Sequence, residues 1–307
     1  MEINYTLYKN INIQKWDTCI AQSLTPSIYS TALYLNTMAP QWDALIVGEY
    51  EYIMPVIFKI KYGIKYCYQP AFLPHIGIFS SKIISKSIFQ NFLSCLSSKI
   101  VFAEISFLHP INFLEHSPKF KCNLQTNFTL SLLQTYPIIH KNYLPSFTKS
   151  LRRLQKHNLR YCEGTSINEV FYLYKKLYVN KIKSLSLNDI QSFEKLCDTL
   201  LLQKKIIIKI VRDNNQNLLA AVLLLVYKNK LYNILSCINS EGKKLEANYF
   251  LYDCILKEFA NKPYIFDFEG SEIIGVANFY KKMNPINEPT LQIKYNNLPK
   301  ILKLFKQ

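Results

Sequence analysis

The sequence predicts an α/β protein with mixed sheets, built as two tandem domains of like architecture spanning 1–139 and 140–307. Three observations carry this expectation. The chain has 307 residues, 49% apolar and 14% aromatic, enough to bury one large core or two ordinary ones. Its apolar spacing switches repeatedly between the two-residue period of a strand and the 3.6-residue period of a helix. The elements so read follow nearly the same order in both halves, two helices, three strands, a helix and a strand, although residue identity between the halves is negligible.

In the first half, Ile13 to Gln22 and Ser30 to Thr37 have helical spacing. Trp42 to Val47, Tyr52 to Lys59 and Ile64 to Tyr68 read as strands separated by the turns GEYE and KYG. Ile83 to Leu96 is helical, and Val101 to Phe107 and Leu124 to Leu130 are strand-like. Prolines in TYPIIHKNYLPS, Thr135 to Ser146, interrupt both patterns and place the domain boundary there. The second half parses as helices Ile167 to Lys181 and Asp189 to Gln203, then a meander of strands Lys204 to Arg212, Leu218 to Tyr227 and Leu231 to Ile238 joined by DNNQN and KNK turns. A helix from Leu245 to Phe259, a strand from Tyr264 to Phe268, a helix from Gly275 to Met283, a strand from Thr290 to Tyr295 and a terminal helix from Leu298 to Phe305 complete it.

Composition narrows the function. The longest apolar run, Leu218 to Tyr227, is far short of the roughly 18–20 residues that span a bilayer. MEINYTLYKN lacks a basic segment followed by an apolar core, so no secretory signal is expected and the protein is expected to be cytoplasmic. The eight cysteines are scattered singly, and His109, Glu115 and His116 have the wrong spacing for H-E-x-x-H, so no metal is implied. A net charge of +16 points either to a polyanionic partner or to a lysine-rich soluble surface. Only four arginines occur, and Arg152, Arg153 and Arg160 fall within nine residues. In a chain whose default cation is lysine, such clustering favours planar, bidentate recognition of phosphate or carboxylate. Read as a helix capped by Ser146, SFTKSLRRLQKHNLR puts Lys149, Arg152, Arg153, Lys156 and Arg160 on one face and Phe147, Leu151 and Leu154 on the other. That face is either solvated or in contact with an anion.

FDFEGSEIIGVANFYKKMN, Phe266 to Asn284, opens as a strand, turns at Gly270-Ser271 and closes as a helix. In the strand, Asp267 and Glu269 point to one side and Phe266 and Phe268 to the other. The stretch is similar to the strand-Gly-Ser-helix segment of the FemABX family. NYLPSFTKSLRRLQKHNL resembles the basic helix opening that family's second domain, and LYNILSCINSEGKKLEANYFLYDCIL resembles its strand-loop-helix at the acyl-donor site. The order of elements resembles the GNAT acyltransferase fold, and two such domains in tandem look like FemABX, whose members build peptidoglycan cross-bridges from aminoacyl-tRNA.

The resemblance implies two GNAT-like domains and an N-acyltransferase acting on an amine, on a peptide or a peptidoglycan precursor, with peripheral contact to a membrane-linked precursor. It implies a co-substrate, aminoacyl-tRNA or acyl-CoA, rather than a resident cofactor. Glu269 is then the candidate base, Tyr280 or Lys281 the proton source or charge stabiliser, and Asp267, Gly270 and Ser271 the cleft wall. Arg152, Arg153, Lys156, Gly242, Lys243 and Lys244 are candidates for holding the donor or its phosphates. Two departures stand out. The loop SCINSEGKKLEAN carries Gly242 alone, where CoA-dependent enzymes of this fold have a glycine-rich loop, and the family's Phe-Lys pair falls on Phe279-Tyr280, with Lys281 one residue later. An acyl-CoA-dependent small-molecule acetyltransferase and a non-catalytic binding module of the same fold are the competing readings. Residue by residue, Asp267 could instead accept backbone N–H groups, Glu269 could pair with Lys281 or Lys282, Tyr280 could be core, and Gly270 could serve only a positive φ. The aromatic run IKYGIKYCYQPAFLPHIG, Ile60 to Gly77, reads either as an acceptor-groove lining or as core.

Overall fold

The computed structural model describes residues 2–108, 119–179, 181–182, 185–270 and 272–299. In chain order it holds β1 (Asn4–Thr6), α1 (Ile13–Gln22), α2 (Ala32–Met38), β2 (Trp42–Val47), β3 (Tyr52–Lys61), β4 (Ile64–Cys67), α3 (Lys86–Lys99), β5 (Phe102–Phe107), β6 (Phe120–Gln125) and β7 (Phe128–Ser131). There follow α4 (Tyr136–Lys141), α5 (Pro145–Leu154), β8 (Arg160–Glu163), α6 (Ile167–Tyr178), α7 (Leu187–Leu202), β9 (Ile206–Arg212), β10 (Leu218–Tyr227) and β11 (Lys230–Ile238). The chain closes with α8 (Ser240–Lys244), α9 (Ala247–Phe259), β12 (Ile265–Asp267), α10 (Ile274–Tyr280), β13 (Ile286–Asn287) and β14 (Thr290–Asn296). The expected terminal helix and Ser271 lie outside the described residues, as do His109, Glu115 and His116.

Two compact units form, one from Met1–Gln125 with Pro289–Gln307 and one from Thr126–Glu288. Each has a seven-stranded mixed sheet, in the orders β1-β2-β3-β4-β5-β14-β6 and β13-β7-β12-β11-β10-β9-β8. The two halves of the sequence therefore exchange strands. β14 inserts between β5 and β6, while β7 pairs with β12 and β13. Residues 126–139, assigned to the first domain from sequence, lie in the second unit, and β14, assigned to the second, completes the first. The single strand expected from Leu124 to Leu130 is two strands in different sheets. The break falls at Thr126-Asn127, whose N–H groups leave the first ladder to donate to the Glu272 carboxylate and, over 3.2 Å, to Asn287 Oδ1.

Capping explains several boundaries. Asn12 Oδ1 accepts from Lys15 N–H, Ser85 Oγ from Ile88 N–H, and Ser186 and Asp189 form a reciprocal capping box at α7. Helix α5 departs from expectation at both ends. Its N-cap is Leu144 rather than Ser146, because Pro145 carries the φ suited to the first helical position, and Leu144 N–H donates to Lys282 O over 2.9 Å. It ends at Leu154, so Lys156 and Arg160 do not continue its basic face.

In the second unit, β10 is an interior strand, flanked by β11 and β9. Ala220, Val222 and Leu224 face a core shared with α5, α9 and α10, and the alternate Ala221, Leu223 and Leu225, equally buried, face the side where α6 and α7 pack. Gly242 belongs to the first of these packings. A Cβ there would lie 2.4 Å from Leu219 O, so only glycine lets α8 sit this close to β10.

Candidate active site

Strands β11 and β12 are parallel and pair over three positions only, Lys230 with Ile265, Leu231 with Phe266 and Tyr232 with Asp267. Beyond Tyr232 they separate, and the register of β11 against β10 shifts between Leu223 and Leu224, which face Leu235 and Asn233. The bulge and the separation together aim Asn233 away from a ladder partner on the β12 side. Its Nδ2 lies 2.7 Å from Tyr252 OH on α9, 2.9 Å from Tyr280 OH on α10 and 3.2 Å from Phe268 O just past β12. The two phenols are 3.2 Å apart, and Tyr252 OH also reaches Ser236 Oγ at 3.3 Å. Four elements thus converge on one buried polar cluster.

Aromatic rings wall it. Phe268 packs at 4.7 Å on Tyr280 and lies parallel to Tyr252 at 6.2 Å, while Phe279 meets Tyr252 edge-on at 5.3 Å. Burial pushes both phenols up, Tyr280 well above the ordinary tyrosine range, with the neighbouring Tyr252 and the charge of Glu269 acting in the same direction. Tyr280 is therefore a neutral O–H donor at every physiological pH and cannot serve as a base. Asn233 Oδ1 has no hydrogen-bond partner among the described residues, leaving acceptor capacity inside the cluster.

The acids occupy different settings. Asp267, at the end of β12, is fully buried; its Oδ2 lies 3.8 Å from Lys230 Nζ and its Oδ1 accepts the Glu269 N–H over 3.3 Å. Burial raises its carboxyl, opposed mainly by Lys230. Glu269 does not continue the strand alternation expected of it. It is buried at φ +48°, followed by Gly270 at +57°, so the chain turns out of the sheet one residue earlier than the sequence pattern indicates. Gly270 meets nothing where a Cβ would stand, and positive φ is what its position requires. A glutamate held left-handed is strained by about 1 kcal/mol or more, a feature concentrated at functional sites.

Of the remaining candidates, Lys281 is exposed in the turn after α10. Its neighbour Lys282, named from the sequence only as an alternative partner for Glu269, donates to Tyr249 OH over 2.6 Å and lies 5.1 Å above that ring. Asn233 and Tyr252 were also missed; the available signal was an asparagine inside the apolar strand LYNILSCI.

Arg153, His157, Lys243, Lys244 and Glu246 line a separate recess of about 380 Å³, whereas Arg152 and Lys156 are exposed outside it. The structure thus unites part of the expected phosphate set, with a difference. Glu246, left-handed at φ +53° before α9, takes the Arg153 guanidinium through hydrogen bonds of 2.6, 2.8 and 3.1 Å. Four of the loop amides are also occupied. Gly242 N–H donates to Asn239 Oδ1 over 2.6 Å, Lys243 N–H to Asn239 O, Leu245 N–H to Glu241 O and Glu246 N–H to Lys243 O. Gly242 therefore serves packing and a helix cap, and its amide is not a free donor for phosphate.

Among the described residues, no group of three or more His, Cys, Asp or Glu side chains is placed to hold a metal ion, and no helix is long and apolar enough to cross a membrane.

No protein-family model matches the chain, and no curated protein matches it by sequence. Solved structures do. FemX is 13% identical, with full coverage of both chains and a TM-score of 0.66. A conserved protein of unknown function from Bacteroides thetaiotaomicron is 9% identical over 96% of this chain and 100% of that one, with a TM-score of 0.61. The C-terminal domain of a putative lysylphosphatidylglycerol synthetase from Agrobacterium fabrum is 12% identical over 95% and 94%, with a TM-score of 0.56. The chain accordingly has the tandem GNAT-like fold of FemX, with the Asn233-Tyr252-Tyr280 cluster where the third meander strand of the second unit parts from its parallel neighbour.

Proposed function

We propose that this protein is an N-acyltransferase that moves an aminoacyl group from the ester of an aminoacyl-tRNA to an amine on a peptide or cell-wall precursor. The observation that carries it is the buried cluster of Asn233, Tyr252 and Tyr280 at the parting of β11 and β12, with Glu269 beside it. Attack of the amine on the ester carbonyl forms a C–N bond and breaks the C–O bond. Glu269 takes the proton released by the attacking ammonium, directly or through water. The neutral Tyr280 O–H stabilises the developing oxyanion without giving up its proton. Lys281, exposed beyond α10, supplies the proton that the leaving alkoxide takes. The engaged amides of Gly242, Lys243, Leu245 and Glu246 favour this donor over acyl-CoA, whose pyrophosphate is ordinarily held by free N–H groups at such a loop.

The test is a thermal-shift titration with bulk aminoacylated tRNA, acetyl-CoA and longer acyl-CoAs at low and moderate salt, followed by transfer assays with a lysine-containing peptide acceptor. A tRNA-induced rise that weakens with salt, with transfer lost in Glu269→Gln, is expected. A salt-resistant rise with a CoA ester would replace the donor, and silence from every donor would leave a binding module.

A further inference from the structure

The first unit carries a feature that transfer chemistry in the second does not use. Along the ladder of β3, β4, β5 and β14, Lys59 is in register with Tyr66, Tyr66 with Phe102 and Phe102 with Asn296. The neighbouring row runs Glu104, Lys294, Lys121. Residues in one row share a face of the sheet, and so do those two apart along a strand. The opposite face, with Phe58, Cys67, Ala103, Ile105 and Ile293, is buried core. Apart from Phe102, which is buried, the polar face is open to solvent: Lys59, Lys61 and Lys121 are exposed, and Tyr66, Glu104 and Lys294 half-buried.

Its chemistry is basic and aromatic together. Lys59 Nζ lies 4.2 Å above the Tyr68 ring, and the Tyr66 and Tyr68 rings are 6.3 Å apart. Tyr62, 86% exposed at φ +52°, tips the β3-β4 hairpin beneath Lys61 Nζ at 5.4 Å. Four lysines meet one acid, Glu104, itself paired with Lys294 at 2.6 Å. Lys65 is not part of this face, since it turns to the buried carboxylate of Asp43 at 2.9 Å. Tyrosine rings between lysines on an open sheet suit unpaired nucleotides, the rings stacking on bases and the ammonium groups meeting phosphates. An anionic membrane would meet the same lysines but offers the tyrosine rings no planar partner, and here the rings alternate with Lys59, Glu104, Lys121 and Asn296 in place of a continuous apolar patch to insert.

We infer that this face of the first unit is a binding platform for single-stranded RNA, reached through the Lys59, Tyr66 and Tyr68 group and the Lys121 row. It deepens the proposed function, resting on the reading that the acyl donor is carried on RNA. The long aromatic run beginning at Ile60 is then divided between two roles, with Tyr62, Tyr66 and Tyr68 on the open face and Leu73, His75 and Ile76 in the core.

The test is fluorescence anisotropy of a labelled, uncharged oligoadenylate on the full chain across a salt series. Tyr66→Ala should weaken binding at least about fivefold with the salt slope unchanged, and Tyr66→Phe should restore it. Lys59→Ala/Lys61→Ala should flatten the slope by about 0.7 for each phosphate no longer neutralised. Unchanged affinity in both the tyrosine and the lysine variants would overturn the inference, as would loss of binding confined to Arg152→Ala/Lys156→Ala. So would binding to phosphatidylglycerol vesicles with none to the oligonucleotide. Oligonucleotide binding without aminoacyl transfer would sink the transferase reading and keep the platform; transfer in a protein that ignores the oligonucleotide would do the reverse.

Discussion

Gly242→Ala separates a packing glycine from a phosphate-loop glycine. The added Cβ would stand 2.4 Å from Leu219 O and 3.0 Å from both Leu219 C and Ile238 Cγ1. Two of these atoms are backbone in the interior strand β10, so relief requires α8 to move off it. Overpacking of this kind costs about 1–3 kcal/mol. Moving α8 also breaks the 2.6 Å bond from Gly242 N–H to Asn239 Oδ1, a cap worth about 1 kcal/mol, while the better helix propensity of alanine returns about the same. The net loss is therefore about 1–3 kcal/mol. For a unit spanning Thr126–Glu288, each kcal/mol lowers Tm by roughly 2–4 °C, giving a fall of about 2–12 °C. Far-UV circular dichroism is the assay, because both tryptophans, Trp16 and Trp42, belong to the first unit and their fluorescence does not report the second. An unchanged Tm with weakened donor binding would refute the packing argument and restore Gly242 to a ligand-contacting role.

Tyr280→Phe keeps the ring but deletes the O–H that meets Asn233 Nδ2 at 2.9 Å. It should cost about 1–3 kcal/mol of stability and lower kcat at least about 100-fold, measured by melting and by transfer rate at a temperature where the variant is folded; loss of stability alone would reduce Tyr280 to a structural role. Asp267 has its folded pKa raised, first by burial, so its contribution to stability is fully present below the ordinary aspartate pKa and is lost as pH rises through the folded value. Asp267→Asn should therefore gain Tm relative to wild type between pH 4 and 7.5, and a wild-type advantage that grows with pH across that window would show that Lys230 dominates instead.

Much of this fold was legible in the sequence, because long elements with uniform patterning report their own period. Leu218–Tyr227 is an uninterrupted apolar run and was delimited to the residue; so were Ile13–Gln22 and Trp42–Val47. What failed was information held in partners. Nothing local distinguishes Gln125 from Phe128 as members of different sheets, since that depends on β14 arriving from more than 160 residues away. The same holds at the site. Glu269, Tyr280 and Asp267 lay in one recognisable segment, but Asn233 and Tyr252 reach the cluster from a strand and a helix whose sequences read as ordinary core. The basic helix shows the opposite error. Its charge pattern was real, yet Glu246, 93 residues from Arg153, had already taken the guanidinium.

The exchanged strands decide which pieces of the chain can fold. A fragment of residues 140–307 omits β7, and with it Phe128, Leu130 and Leu132, all buried in the second core. At about 1.5–3 kcal/mol for each buried side chain, that omission removes roughly 5–9 kcal/mol, comparable with the whole stability of an ordinary domain. It also strips β12 of its antiparallel partner. A fragment of residues 126–288 retains every strand of its sheet, from β7 to β13. It should unfold cooperatively in urea by circular dichroism while 140–307 shows no transition. A fragment of residues 1–139 lacks β14, which joins the edge strand β6 to β5 in the first sheet, so it should aggregate through the unpaired edges of β5 and β6 and be rescued by a peptide covering Thr290–Asn296. Cooperative unfolding of 140–307 with the midpoint of the 126–288 fragment would mean that β7 contributes little, and the discontinuous division of the chain would have no energetic content.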